Sequence, residues 1–278
     1  MKNNTKSQNA SSQFAQSIRG MVLSMVAKVN ASHIGGALSM SDILAVLFNG
    51  ILNVRPDQPD WSQRDRLILS KGHCCASLYA ALGLKGFFPI SDLQTYGRNE
   101  SLLMAHASHK VPGVEFSTGS LGHGLPFGCG KALAAKRKNQ AWRTFVLLSD
   151  GELDEGSNWE AILFAPQHKL DNLVAIVDYN KIQSLGSVAE VLELEPLAEK
   201  FRAFRWAVRE INGHDHPSIS TALKSVPFEK GKPSCLIAHT IKGKGVDFME
   251  NSLKWHYSSP DPEQLKSALS QIKTKIHQ

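Results

Sequence analysis

The 278-residue sequence has few cysteines and no long apolar run. The four cysteines are Cys74, Cys75, Cys129 and Cys235. They form no Cys-x-x-Cys pair, and two adjacent cysteines do not easily bridge each other, so we expect reduced, buried thiols rather than a disulfide scaffold. No uninterrupted apolar stretch approaches the roughly 18 residues of a membrane span, and the polar first residues lack the apolar segment of a signal peptide. These absences predict a cytoplasmic globular protein with no membrane contact.

The sequence also has little net charge. Its 31 basic and 25 acidic residues give a formal net charge of +6. The small basic clusters at 136–138 and 242–244 favour an anionic small ligand over nucleic acid, which would need a denser basic stripe. No Gly-x-Gly-x-x-Gly follows the first predicted strand, which disfavours a dinucleotide-binding domain.

What the sequence does contain is an alternation of apolar strands with amphipathic helices, in a chain that is 42% hydrophobic. Continuous apolar runs are typical of parallel strands that are covered on both faces. We therefore predict a doubly wound, mainly parallel α/β sheet with helices on both faces. Residues 1–12 are predicted to form a disordered tail and residues 13–278 a single domain. The predicted strands are 66–70, 144–149, 173–178, 206–211 and 234–238.

Polar residues follow two of these strands directly. Asp150 and Gly151 come after the strand at 144–149, and Asn180 comes after the strand at 173–178. Ligands of such sheets bind beyond the carboxyl ends of the strands, and Mg²⁺ takes hard oxygen ligands together with phosphate oxygens. Taken singly, Asp-Gly and Asp-x-Asn are common turn sequences. Together they predict a magnesium-diphosphate site formed by Asp150, Asn180 and the main-chain carbonyl of Ile182, with the Gly151 N–H close to a phosphate.

Several further motifs occur in a fixed order from about residue 14 to the end. With them the chain resembles the N-terminal, diphosphate-binding half of transketolases, in the split form in which this half is a separate polypeptide. The motifs are HIGGALSM at 33–40, LSKGH at 69–73, PGVE at 112–115, TGSLG at 118–122, DGE at 150–152 with EG at 155–156, KLDNL at 169–173, DYN at 178–180, and KGKG at 242–245 before WH at 255–256.

This resemblance implies a thiamine diphosphate-binding fold and an enzyme that moves a two-carbon ketol unit from a ketose or ketose phosphate to an aldose. The implied cofactors are thiamine diphosphate and Mg²⁺, for which Ca²⁺ or Mn²⁺ could substitute. The implied partner is a separate C-terminal subunit with the pyrimidine-binding and C-terminal domains, in an α₂β₂ assembly. The chain alone is then expected to be inactive.

The resemblance also assigns roles to individual residues. Histidines suit hydrogen bonding to substrate oxygens because their ordinary pKa lies near working pH. The implied catalytic residues are His33, His73, His106, His256, Glu155 and Glu160, where the two glutamates link active sites across a subunit interface. The implied cofactor contacts are His73, Gly119, Leu121, Asp150, Gly151, Glu152, Asn180 and His256.

Three residues and one segment depart from the family pattern. Ser149 replaces the first glycine of Gly-Asp-Gly, His123 stands where glutamine is usual, and Tyr257 replaces the glycine after His256. The segment around the third histidine is shortened, which leaves open whether His106 or His109 faces the substrate. These departures suggest a sugar other than the common pentose phosphates.

Two other functions remain open at this point. The α subunit of a thiamine-dependent 2-oxo acid dehydrogenase has a similar Asp-Gly…Asn arrangement, although His33 and the Lys-Gly-His segment argue against it. A non-catalytic subunit that kept the fold is the second alternative, and the intact Asp150, Asn180 and histidines disfavour it.

Overall fold

The computed structural model describes the backbone of residues 2–274 and the side chains of residues 10–273. At its centre is a five-stranded sheet with the order β1-β2-β3-β5-β4, in which all neighbouring strands are parallel. The predicted fold class is therefore confirmed. The strands are β1 (Arg66–Leu69), β2 (Thr144–Ser149), β3 (Leu173–Tyr179), β4 (Ala207–Asn212) and β5 (Ser234–His239).

Helices cover both faces of this sheet, which explains why β1, β2 and β3 are buried along their whole length. The helices are α1 (Lys2–Lys28), α2 (Ile34–Ser39), α3 (Ser41–Val46), α4 (Cys75–Lys85), α5 (Gly124–Arg137), α6 (Gly156–Gln167), α7 (Val188–Val191), α8 (Leu197–Ala203), α9 (His216–Lys224) and α10 (Pro262–Thr274). Alternate side chains point to opposite faces of a strand. Phe145 and Leu147 pack in one apolar cluster with α1, α3, α4 and α10, whereas Val146 and Leu148 pack in a second cluster with α5, α6 and α8.

The first helix begins earlier than the sequence predicted. Residues 2–12, expected to form a disordered tail, belong to α1. This stretch contains neither glycine nor proline that would end a helix. Ser11 is buried, and its hydroxyl lies 2.8 Å from Nδ1 of His216 at the start of α9. The tail prediction is therefore wrong over residues 2–12, while Met1 lies outside the described residues.

Across the described backbone, no helix combines the length and the hydropathy that a membrane crossing requires.

Close main-chain packing brings the loops together beyond the strand ends. A Cβ added to Gly72, just after β1, would lie 2.3 Å from the carbonyl oxygen of Thr118. A Cβ on Gly124, the first residue of α5, would lie 2.2 Å from Oγ of Ser70. Only glycine allows the segments at 70–73 and 118–124 to approach this closely. The loops that surround the strand ends are therefore fixed by packing.

Candidate active site

A cavity of about 300 Å³ opens where the carboxyl ends of β1, β2 and β3 meet. Ligands of open parallel sheets bind at this edge. Every residue that the sequence proposed for the site lines the cavity except Glu152, Glu155 and Glu160. The lining residues are His33, Gly36, Lys71, His73, Cys74, His106, Gly119, Leu121, Ser149, Asp150, Gly151, Asn180, Ile182, Gln183, Ser184, Lys242, His256 and Tyr257.

One wall of the cavity is built around Asp150, which follows β2 and is only 1% exposed. Its Oδ2 accepts the N–H of Lys181 at 2.6 Å, and its Oδ1 accepts the N–H of Gly151 at 2.8 Å. Burial, followed by the nearby carboxylate of Asp178, raises the pKa of Asp150 to about 6. The wall therefore holds a carboxylate whose negative charge is only partly compensated.

Asn180 and Ile182 continue this wall from the end of β3. Oδ1 of Asn180 accepts the N–H of Ile182 at 3.2 Å. The carbonyl oxygen of Ile182 accepts a hydrogen bond from the Lys242 ammonium at 2.8 Å, and the same nitrogen lies 2.9 Å from Nδ1 of His256. Burial, followed by the positive charge of Lys71, lowers the pKa of Lys242 to about 8. A cationic group thus already lies against the Ile182 carbonyl oxygen.

Four histidines also line the cavity. The ring of His33 lies 5.0 Å from that of His73, 5.1 Å from that of His256 and 6.2 Å from that of His106, measured between centroids. Burial, with a smaller contribution from neighbouring cationic groups, lowers the pKa of His33 to about 4, that of His256 to about 3 and that of His73 well below its ordinary value. At neutral pH these three rings are uncharged, so each has one donor and one acceptor nitrogen.

The structure decides between the two histidines that the sequence left open. His106 lines the cavity, and a Cβ added to Gly119 would lie 3.1 Å from its Cδ2. His109 is exposed, and its Nδ1 lies 2.7 Å from the hydroxyl of Ser117. His106 is therefore the histidine of this loop that faces the cavity.

A buried ion pair at the cavity was not predicted. Lys71 and Asp178, 107 positions apart in the sequence, form a short contact between the Lys71 ammonium and the Asp178 carboxylate. The carboxylate also accepts hydrogen bonds from the hydroxyls of Ser39 and Thr240. Burial is the largest influence and lowers the pKa of Lys71, but the Asp178 carboxylate and the other acidic groups nearby together outweigh burial, so the net pKa is raised. In the sequence, both residues stand at the ends of predicted strands. That position alone does not indicate that their side chains pair.

The three glutamates proposed from the sequence lie elsewhere. Glu152 is fully buried behind the cavity, where its carboxylate accepts N–H groups of Gly122 at 3.0 Å and Ser149 at 3.3 Å. Glu155 precedes α6, Glu160 lies within it, and both are exposed. Glu152 thus connects the 119–122 loop to the end of β2, whereas the other two do not belong to the cavity lining.

The cysteines are free and buried, as the sequence predicted. Cys74 is the one that borders the cavity. Burial raises the pKa of its thiol to about 11, so it is protonated at neutral pH and is a poor nucleophile.

Within the described residues, no group of three or more His, Cys, Asp and Glu side chains is arranged to hold a metal ion. A cation at Asp150 would instead use amide and carbonyl oxygens together with oxygens of an anionic ligand, which is how Mg²⁺ binds beside phosphates. The fold and the cavity together are typical of α/β domains that bind an anionic ligand beyond the carboxyl ends of their strands.

The sequence profile of the family described as "Transketolase, thiamine diphosphate binding domain" matches residues 10–275. The chain therefore belongs to the transketolase family, whose members are transferases, through its thiamine diphosphate-binding domain. This match favours the transketolase interpretation over the 2-oxo acid dehydrogenase alternative.

Two named relatives have nearly the same length as this chain. The chain is 43% identical over 258 residues to an apulose-4-phosphate transketolase subunit of Phocaeicola vulgatus, with 93% of this chain and 92% of that protein covered. It is 41% identical over 259 residues to the 6-deoxy-6-sulfo-D-fructose transketolase subunit SqwG of Clostridium sp., with 93% and 94% covered.

Among solved structures, the transketolase of Campylobacter jejuni superimposes on 96% of this chain with a TM-score of 0.90 at 35% identity. The chain covers only 43% of that transketolase. The shared part is thus less than half of that enzyme.

Proposed function

We propose that this chain is the diphosphate-binding subunit of a two-component transketolase that transfers a two-carbon ketol unit from a ketose or ketose phosphate to an aldose. Residues 13–278 act as a single domain in this proposal. The observation that carries it is the juxtaposition, in one cavity, of neutral histidines with the Asp150–Asn180 wall. The family match supports thiamine diphosphate as the cofactor.

The residues of the wall fit Mg²⁺. Asp150, Asn180 and the Ile182 carbonyl offer a carboxylate, an amide and a carbonyl oxygen, which are the hard ligands that Mg²⁺ prefers. A divalent cation would stabilise the charged form of Asp150, whose pKa burial raises to about 6. The Lys242 ammonium at the Ile182 oxygen supports positive charge at this position. Ca²⁺ or Mn²⁺, with the same ligand chemistry, could substitute.

The cavity also fits a diphosphate. Two glycines line it: a Cβ on Gly36 would lie 2.8 Å from Sγ of Cys74, and one on Gly151 would lie 2.9 Å from Cγ of Gln183, so neighbouring side chains leave little room for a larger residue at either position. Lys242, which is 2% exposed, would neutralise part of the diphosphate charge. Gly119 and Leu121 would contact the cofactor rings.

When bound, thiamine diphosphate supplies the electron sink that ketol transfer requires. His33, His73 and His106 would donate hydrogen bonds to oxygens of the sugar and the cofactor. The Lys242 ammonium lies 2.9 Å from Nδ1 of His256, which leaves the imidazole proton on Nε2. His256 would thus be prepared to donate one hydrogen bond near the reacting centre.

A second polypeptide is part of the proposal. Relatives of nearly the same length are named as subunits of transketolases, which supports a partner chain with the pyrimidine-binding and C-terminal domains, in an α₂β₂ assembly. Glu155 and Glu160, exposed beside and on α6, would then connect the active sites across a subunit interface. The cytoplasmic location expected from the sequence stays a prediction.

We further propose a sugar substrate, donor or acceptor, other than the common pentose phosphates. Tyr257 is 59% exposed at the cavity, and its ring lies 4.8 Å from that of His256. A tyrosine here would narrow the approach of the substrate compared with the usual glycine. The names of two relatives, which refer to apulose 4-phosphate and 6-deoxy-6-sulfo-D-fructose, point in the same direction.

The deciding experiment is to co-express the chain with the polypeptide encoded beside it and to assay ketol transfer with thiamine diphosphate and Mg²⁺. The donors should include xylulose 5-phosphate, apulose 4-phosphate and 6-deoxy-6-sulfo-D-fructose. We expect activity only with both chains and the cofactor present. Full activity with xylulose 5-phosphate and ribose 5-phosphate would remove the reason for an unusual sugar.

A matched pair of variants tests the metal wall. Asp150→Ala should abolish Mg²⁺-dependent retention of thiamine diphosphate without unfolding the chain, because it removes a ligand rather than core packing. Asp154→Ala removes a carboxylate from the same turn that does not line the cavity, and it should retain the cofactor. Cofactor retention by Asp150→Ala would contradict the assignment.

A further inference from the structure

A second group of polar side chains surrounds the buried carboxylate of Asp42, in the first turn of α3. Arg19 of α1 donates to both of its oxygens, at 3.0 and 2.6 Å. Two histidines complete the group: Nδ1 of His214 lies 2.6 Å from Oδ2, and Nε2 of His216 lies 3.0 Å from Oδ1. Burial alone would raise the pKa of Asp42, but Arg19 and the two histidines hold it well below its ordinary value. Asp42 is therefore ionised.

The hydrogen bonds of His214 fix its tautomer. The main-chain N–H of Ile241 donates to Nε2 at 2.8 Å. Only an unprotonated ring nitrogen can accept this bond, so the proton of the neutral ring lies on Nδ1 and is donated to Asp42. His214 thus connects an ionised carboxylate on α3 to the loop that follows β5.

That loop leads directly into the cavity. Ile241 precedes Lys242, whose side chain lies among the residues of the candidate active site. On either side, the N–H of Thr240 donates to the carbonyl of Tyr179 at 3.1 Å, and the N–H of Gly243 donates to the carbonyl of Gly35 at 2.9 Å. Between these two main-chain hydrogen bonds, the N–H of Ile241 is accepted by the side chain of His214. His214 itself does not line the cavity.

We propose that His214 is a positioning residue: bound to Asp42, it holds the main chain at Ile241 and thereby sets the place of the Lys242 ammonium in the cavity. Without this acceptor, the N–H of Ile241 would lack its partner, and the loop would relax towards another one. The identity of the anion that Lys242 meets rests on the proposed function, whereas the contact between His214 and Ile241 does not.

Two substitutions at His214 separate its two hydrogen bonds. In His214→Asn the amide nitrogen can replace Nδ1 as the donor to Asp42, but no acceptor reaches Ile241. In His214→Gln the longer side chain brings an oxygen to the place of Nε2 and can accept the Ile241 N–H. His216→Gln is the matched control, because His216 shares the Asp42 carboxylate while its Nδ1 faces Ser11 of α1.

The full-length variants are compared by amide hydrogen exchange at Ile241 and by the affinity for magnesium pyrophosphate, a probe that needs only this chain. In His214→Asn we expect at least tenfold faster amide exchange at Ile241. The Kd for magnesium pyrophosphate should rise about five- to tenfold, which corresponds to the loss of roughly one hydrogen bond. His214→Gln and His216→Gln should stay within about twofold of the unsubstituted chain in both measurements. In a Lys242→Met background, His214→Asn should cause no further loss of affinity.

Three results would overturn the proposal. These are unchanged Ile241 exchange in His214→Asn, unchanged probe affinity despite faster exchange, and an equal loss of affinity with Lys242 present or absent. Failure of the unsubstituted chain to bind magnesium pyrophosphate would instead contradict the proposed diphosphate site, and the exchange data would still decide whether His214 holds Ile241.

Discussion

Replacing Asp150 by asparagine changes the charge of the cavity wall while it keeps the size of the side chain. In the folded chain, burial raises the pKa of this carboxyl to about 6, compared with 3.8 as its ordinary value. In the absence of a cation, the ionised carboxylate therefore lowers the free energy of unfolding at neutral pH. As the pH falls through 6, the folded state binds a proton that the unfolded chain does not yet bind, so stability is gained.

The size of this effect follows from the gap between the two pKa values. One unit corresponds to about 1.4 kcal/mol, so the whole window from above pH 7 to below pH 4 contributes about 3 kcal/mol. Roughly half of this lies between pH 7.5 and pH 5. In Asp150→Asn, this contribution is missing, while the other titrating groups are shared with the parent chain.

The assay is urea unfolding of both proteins in EDTA, repeated at several pH values between 5 and 7.5. The free energy of unfolding of the parent minus that of the variant should increase by about 1.5 kcal/mol as the pH falls over this range. A difference that stays constant with pH would refute a raised pKa for Asp150 and with it the uncompensated charge of this wall.

Three further predictions concern the surroundings of the cavity. Burial lowers the pKa of His33 to about 4, so its ring should titrate near that value by NMR. The neutral ring contributes to the free energy of unfolding above pH 6.5, and this contribution should be lost as the pH falls towards 4. Titration near 6.5 would contradict the burial of His33. In Gly72→Ala the added Cβ would lie 2.3 Å from a carbonyl oxygen, and the free energy of unfolding should fall by about 3 kcal/mol or more. The control Gly130→Ala, on open helix surface, should raise it by about 0.5–1 kcal/mol. Equal urea midpoints of the two variants would argue against the close packing at Gly72. Lys71→Met should lower the free energy of unfolding by about 3–5 kcal/mol, because it leaves Asp178 buried without its cation. The additional change Asp178→Asn should restore part of this loss. A single variant as stable as the parent chain in urea would contradict the ion pair.

The sequence was sufficient to predict the sheet and the oxygen-rich wall of the cavity. Apolar strands are recognisable by composition, and parallel strands must end at one edge, so Asp150 and Asn180 could be placed together without coordinates. The histidines were different, because no local pattern joins His33, His73 and His256. Only the family resemblance suggested their proximity, and the structure brings them within about 6 Å of one another.

What the sequence did not predict depends on tertiary contacts. The pairing of Lys71 with Asp178 is decided by how β1 and β3 are placed in the sheet. The orientation of Glu155 and Glu160 depends on which side of α6 packs against the sheet, and a short amphipathic pattern does not define this well. The helical start of the chain was not predicted because its residues are polar and show no apolar periodicity. The contact between Ser11 and α9 is a tertiary one that the local sequence does not reveal.

The tie between His33 and His256 has a consequence for how the protein is made. The N–H of His33 donates to the carbonyl of His256 at 2.7 Å, so the pocket joins an early segment of the chain to one near its C-terminus. The two residues are far apart in the sequence, and closing a long loop costs conformational entropy and slows folding. A ribosome must therefore have synthesised the chain beyond His256 before both segments of the pocket are available.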